Sequence, residues 1–295
     1  MNQAQLKRMR EDKGFIAALD QSGGSTPKAL RLYGVMEDEY KNEDEMFEKV
    51  HEMRTRIIKS SSFDKEKILG AILFKKTMNS KIDGLYTADF LWEKKGIVPI
   101  LKVDEGLADE FRGSSLMKEM KGLDELLETA KQRNIFATKM RSLIKEYDEE
   151  MIEKVVKQQF DYAKEICKAG FVPIIEPEVD INSADKEKIE AKMKEFVVEE
   201  LKSLPSDYYV MFKFTIPSKD NLFKDLYDFP QVVRIVALSG GYSRDEANKR
   251  LSRNDRMIAS FSRALTEGLS KNQSDKEFDD LLGKSIDSIY KASLN

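Results

Sequence analysis

Eight short apolar runs recur along the chain, each divided from the next by stretches with the composition of helices. They occupy residues 14–20, 68–74, 97–103, 135–140, 171–176, 209–214, 232–238 and 257–261. Amphipathic or acidic segments at 44–60, 87–95, 124–134, 148–169, 184–203, 221–227, 243–251 and 274–292 read as helices. The segment 148–169 carries the plainest signals. Asp148 can cap it, Ile152, Val155, Phe160 and Ala163 form an apolar stripe, and Gly170 can end it. Runs too short for helices, alternating with helices, specify parallel βαβ units. Eight such units close into an α/β fold, a single (β/α)8 TIM barrel, with an open doubly wound sheet as the competitor. No Pro-rich or Gly/Ser-rich linker interrupts the pattern, so residues 1–295 are expected to form a single catalytic domain. Repetition is visible within the chain too: GIVPILKVDEG from Gly96 and GFVPIIEPEVD from Gly170 superpose, aligning Lys102 with Glu176.

One residue breaks the apolar rule in an informative way. In the run YVMFKFTIP the period of two puts Met211, Lys213 and Thr215 on one face and Val210, Phe212 and Phe214 on the other, so both faces are covered. An ammonium buried there loses hydration, which favours the free amine, and a free amine can attack a carbonyl carbon to form a Schiff base. A lysine at a strand end that reaches back to water would look the same in isolation. The other runs decide between the two readings. Asp20 ends the first run, Lys102 the third, Lys139 the fourth and Glu176 the fifth; Ser239 follows the seventh and Arg263 the eighth. In a barrel those ends converge on one mouth, where active sites of this architecture are built. Glu176, in an apolar strand, suits proton transfer. Lys139 and Lys102 bring positive charge that discourages protonation of Lys213, and Asp20 can accept a hydroxyl proton or cap the next helix.

Two turns have the makings of anion seats. Ser239, Gly240 and Gly241 precede a helix beginning near Ser243, and Ser22 to Ser25 precede a helix around residues 27–33. Neither matches a P-loop or a dinucleotide fingerprint. Arg263 would supply fixed charge to the first. Two seats flanking a Schiff-base lysine suggest a substrate phosphorylated at both ends.

Several classes of function are excluded or disfavoured by composition. With a net charge of -3 and interspersed charges the chain shows no footprint for nucleic acid. His51 is the only histidine, which excludes a zinc site with two or more histidines, so no metal and no cofactor are expected. Cys167 is the only cysteine and fits a reducing compartment. The opening residues lack the apolar core of a signal peptide, and no run approaches a membrane span of about 20 residues. A cytoplasmic protein without a membrane partner is expected; homo-oligomerisation is left open.

The ordered motifs ALDQSGGS, LKVDEG, TKMRS, PIIEPEV, FKFTIP, LSGGYS and FSRAL, from Ala18 to Leu265, resemble those of class I fructose-bisphosphate aldolase. The resemblance implies reversible cleavage of fructose 1,6-bisphosphate into the two triose phosphates in glycolysis. It implies Lys213 as the Schiff-base lysine, Glu176 as proton donor and acceptor, Asp20 on the C4 hydroxyl, Lys139 near the reacting carbons and Glu178 as a second carboxylate. Ser239, Gly240, Gly241 and Arg263 would bind one phosphate, and Ser22, Ser25 and Lys102 the other, with Arg141 of the TKMRS motif also on the substrate. Gln21 stands where many relatives have glutamate, Met140 where many have tryptophan, and Glu105 where lysine is frequent. Tyr290 belongs to the last helix and receives no role. A tagatose-bisphosphate or transaldolase-like enzyme would keep Lys213 and Glu176, and a non-catalytic sugar-phosphate binder would form no imine.

Overall fold

The computed structural model describes Met1 to Asn295 and closes the eight runs into a barrel of parallel strands. These are β1 (Phe15–Leu19), β2 (Ile68–Leu73), β3 (Val98–Lys102), β4 (Ala137–Ile144), β5 (Val172–Val179), β6 (Val210–Thr215), β7 (Val232–Leu238) and β8 (Ile258–Phe261). Each pairs with the next, and β8 returns to β1. The open-sheet alternative fails at β3 and β4, where Ile100 pairs with Ala137 and Lys102 with Lys139. A (β/α)8 barrel is therefore the fold.

Outside the strands run α1 (Gln3–Glu11), α2 (Ser25–Tyr33), α3 (Glu43–Lys59), α4 (Lys75–Asn79), α5 (Thr87–Phe90), α6 (Leu123–Lys131), α7 (Glu149–Lys168), α8 (Lys186–Ser203), α9 (Arg244–Leu251), α10 (Arg263–Thr266) and α11 (Asp275–Ala292). The α7 signals act as expected: Asp148 Oδ1 accepts the Met151 N–H at 3.0 Å, Ile152, Val155, Phe160 and Ala163 are buried, and Gly170 takes φ +91°. Two expectations need correction. Residues 221–227 form no α-helix but a 3-10 turn at Lys224–Asp228, because the left-handed Asn221 (φ 64°) breaks the helical backbone where the helix would begin. Strands β4 and β5 also run past Met140 and Glu176, paired residue for residue up to Ile144 and Val179. A short antiparallel strand, Ser114–Ser115, lies along the extension of β4.

Side chains alternate between two cores as the pleat requires. An outer core of 67 buried residues packs strands against helices and includes Phe212 and Phe214. An inner core of 16 fills the barrel, among them Ile16, Ala18, Ile100, Ile174, Met211 and Val236. Its floor is closed by Leu6 and Met9 of α1, a helix that sequence periodicity did not reveal because these are its only buried apolar residues. Gly70 makes room for the plug: a Cβ there would lie 3.1 Å from Met9 Cε and 3.0 Å from the Val98 carbonyl oxygen. The fully buried Met9 sits at the end of the barrel away from the polar mouth. Met9→Ala should therefore cost about 2–5 kcal/mol of stability through the cavity it leaves. Denaturant unfolding and steady-state assays should show that loss with kcat preserved; unchanged stability would contradict the plug.

Candidate active site

Along each strand, the positions that face the barrel interior are apolar at the floor and polar at the mouth. Ile16 and Ala18 lead to Asp20, Ile100 to Lys102, Ala137 to Lys139, Ile174 to Glu176 and Met211 to Lys213. These polar ends meet in a cavity of about 550 Å³.

The charges alternate in sign. Lys139 Nζ lies 2.6 Å from Asp20 Oδ2 and 3.1 Å from Glu176 Oε2, and Glu176 Oε1 lies 3.1 Å from Lys213 Nζ. The four side chains are only 4–11 % exposed. Burial alone would raise the Asp20 carboxyl, but Lys139, Lys213 and Lys102 outweigh it and hold Asp20 far below the usual carboxylate range. Burial likewise works against the Lys139 ammonium, but Asp20 and Glu176 prevail and push it above the usual lysine range. Lys139 is thus a fixed cation. Lys213 has Glu176 as its one carboxylate neighbour.

The backbone around this array is held by side chains. Between β5 and β6 the ladder registers only Ile174 with Met211 and Ile175 with Phe212. Beyond that the strands part, and the Glu176 N–H donates to Gln159 Oε1 at 2.8 Å while the Thr215 hydroxyl bridges the N–H and carbonyl of Val179. Glu176 and Lys213 face each other across this seam. The turn after β6 is secured by a buried pair, Lys186 and Glu190, with Lys186 Nζ 2.8 Å from the Ile216 oxygen and Glu190 accepting from the Ser218 N–H at 2.9 Å.

The two turns expected to seat anions are ordered by local contacts. Ser25 Oγ accepts the Ser22 N–H at 3.1 Å and donates to the Ser22 carbonyl at 2.8 Å, and Asp20 does not cap α2, whose N-terminus has no side-chain cap. After β7, Gly240 (φ +61°) and Gly241 (φ +122°) are left-handed, and a Cβ on Gly240 would meet Ile181 at 2.5 Å. A Cβ on Gly241 would lie 3.7 Å from Arg263 Nη2. Arg263 opens α10 instead of ending a strand, and the nearby acid Glu267 faces Arg244, 3.9 Å away.

The expected site residues thus converge on one cavity, apart from Gly241, which backs it, and Glu178, whose carboxylate is held by Arg141 Nε. Burial opposes the Arg141 charge, but Glu178 overcomes it and raises the guanidinium above its ordinary value.

A family model for class-I fructose-bisphosphate aldolase matches residues 3–222. The chain belongs to the class-I fructose-bisphosphate aldolase family. Members of this family are lyases that need no metal ion. The fold is also similar to that of a fructose-bisphosphate aldolase from Plasmodium falciparum, solved with TRAP and a small-molecule inhibitor. The TM-score is 0.74 at 19% sequence identity, over 98% of this chain and 93% of that one. The family match stops before Ser239 and Arg263, which the barrel nevertheless carries to the same cavity.

Beyond the residues singled out above, this aldolase-family mouth includes Asp104, Lys28 and Ser260. Asp104 is buried and binds Lys102 Nζ at 2.7 Å, leaving Oδ2 without a partner. It lies two positions after Lys102, on the same parity, a signal the sequence contained. Lys28 follows Ser25 by three positions on α2, which places both on one helix face. Ser260 precedes the eighth turn with an unpartnered hydroxyl.

A pH test follows from Asp20. Its carboxyl is depressed in the folded state, so its stabilisation is complete above the unfolded value near 4 and is lost as pH falls toward the folded value. Asp20→Asn should cost about 3 kcal/mol at pH 7, and the gap between the two proteins should narrow below about pH 4. Urea titrations at both pH values measure it; a gap that widens in acid would refute the ion pair.

Proposed function

We propose that the chain catalyses the reversible cleavage of fructose 1,6-bisphosphate to dihydroxyacetone phosphate and glyceraldehyde 3-phosphate through a Schiff base on Lys213. Its place would be the glycolytic and gluconeogenic sequence of the cytoplasm. The observation that carries this reading is the 3.1 Å approach of Lys213 Nζ to Glu176 Oε1 in a cavity also lined by Ser22, Ser25, Ser239, Gly240 and Arg263.

Glu176 takes the proton from Lys213, and the free amine attacks the C2 carbonyl of the open-chain ketose. Glu176 then returns a proton to the departing oxygen, water leaves and an iminium remains. Asp20, ionised beside Lys139, accepts the C4 hydroxyl proton while the C3–C4 bond breaks. The bonding pair moves toward the iminium nitrogen to give an enamine, and the aldehyde departs with the new C4 carbonyl. Protonation at C3 and addition of water release the ketone phosphate and restore the amine. Lys139 stabilises the developing negative charge on oxygen from a fixed position. Ser239, Gly240 and Arg263, backed by Gly241, would bind one phosphate; Ser22, Ser25 and Lys102, joined by Lys28, the other. Glu178 would act through Arg141, which it orients.

Borohydride added with dihydroxyacetone phosphate should reduce the imine, attach the reduced triose to the peptide bearing Lys213 and inactivate the enzyme irreversibly. Lys213→Met should abolish labelling and lower kcat by roughly 10⁴-fold or more. Label recovered on another lysine would defeat the assignment. Parallel assays with fructose and tagatose 1,6-bisphosphates test the choice of epimer, and cleavage of tagatose alone would overturn the substrate. Members of the family need no metal ion, so EDTA should leave the rate unchanged; inhibition rescued by zinc would sink the metal-free route.

A further inference from the structure

Behind the mouth lies an arginine that the mechanism does not use. Arg54, on α3, has no exposed surface and is the largest side chain of which that is true. Its Nη2 donates to the Gln21 carbonyl at 2.6 Å and to Gln21 Oε1 at 3.2 Å, Nη1 donates to Thr77 Oγ1 at 2.5 Å, and Nε has no partner. All the acceptors are neutral. Burial pulls the guanidinium down to about 10, and Asp20, next to Gln21 in sequence, is the carboxylate whose field opposes that fall. The amide of Gln21 continues the chain: its Nε2 donates to Ser262 Oγ, the residue before Arg263. Gln21 and Ser262 both line the cavity.

The acceptors it serves carry no charge, so hydrogen bonding alone does not require a cation here. Burying a cation with no carboxylate beside it is destabilising unless the charge serves something else, and the groups it backs are the two turns shaped for anions. We propose that Arg54 is a positioning residue of the mouth. It grips Gln21 from behind, ties the Asp20–Ser25 turn through Ser262 to the Arg263 turn, and lends both anion seats a positive charge that is held in no ion pair. The inference rests on the anion seats of the reading above.

Two variants separate charge from grip. Gln21→Glu sets a carboxylate on Arg54 and cancels its charge. The dissociation constant for inorganic phosphate, measured by calorimetry, should rise about fivefold, KM for the bisphosphate should rise with it, and the thermal midpoint should not fall. Arg54→Lys keeps the charge but cannot hold both oxygens of Gln21. Phosphate affinity should stay within about twofold while kcat drops about tenfold as Asp20 loses its placement, with circular dichroism confirming the fold. A Gln21→Glu protein that binds phosphate as tightly as the wild type overturns the charge assignment, and wild-type kcat in Arg54→Lys overturns the positioning. Wild-type protein that binds no phosphate would remove the seats and this inference together, a result distinct from equal binding by both proteins.

Discussion

A carboxylate shared between two buried lysines sets the terms for everything around it. Glu176 lies 3.1 Å from both Lys139 and Lys213, and Asp20 completes the row from the far side of Lys139. Each of these ions would cost several kcal/mol to bury alone, and each is tolerable because a neighbour of opposite sign stands beside it. The alternation also divides the labour between two residues of one type. Lys139, flanked by two carboxylates, is pinned as a cation, whereas Lys213 has a single carboxylate, Glu176, beside it. In the reaction proposed above, the same amino acid on one sheet serves as a fixed charge in one place and as the nucleophile in the other.

That arrangement depends on the barrel splitting where it does. Regular pairing of β5 with β6 along their full length would commit the Glu176 N–H to the ladder and bring the strands together at the mouth. Instead the register ends at Ile175 and Phe212, and Gln159 and Thr215 satisfy the released backbone groups. Without those two side chains the parted strands would expose buried donors, each costing about 1–3 kcal/mol. The Lys186–Glu190 pair does the same for the turn that follows Lys213, binding the Ile216 carbonyl and the Ser218 N–H where no strand partner reaches them.

What could be read from the residues, and what could not, divides along physical lines. The barrel was legible because eight apolar runs recur between amphipathic helices, and the lysine on β6 because strand parity is strict over six residues. The extents of β4 and β5 were not, since Arg141 and Glu178 look like loop residues until their mutual ion pair shows why two charges can continue a ladder. Helix α1 offers only Leu6 and Met9 to a core formed by residues far away in sequence. Arg54 escaped notice for a related reason. On α3 it sits in a run of charged residues, EMRTR, and nothing local distinguishes it from the partly exposed Arg56 two positions on.

The charge balance of the mouth shows how much a whole-chain figure conceals. Net charge is -3 over the sequence, yet the cavity wall carries six cationic side chains, Lys28, Lys102, Lys139, Arg141, Lys213 and Arg263, against three carboxylates, Asp20, Asp104 and Glu176. The carboxylates are engaged low in the barrel by Lys102, Lys139 and Lys213. Arg141 is paired with Glu178 just outside the wall, so the surplus positive charge is that of Lys28 and Arg263, beside the two turns. A concave surface with low-dielectric walls focuses such a field, so a multiply charged anion is favoured there over the rest of the surface. In the reaction proposed above, selectivity for a small phosphorylated ligand would follow from where the charges are placed, with the reacting carbon drawn down to the amine by attachments some atoms away from it.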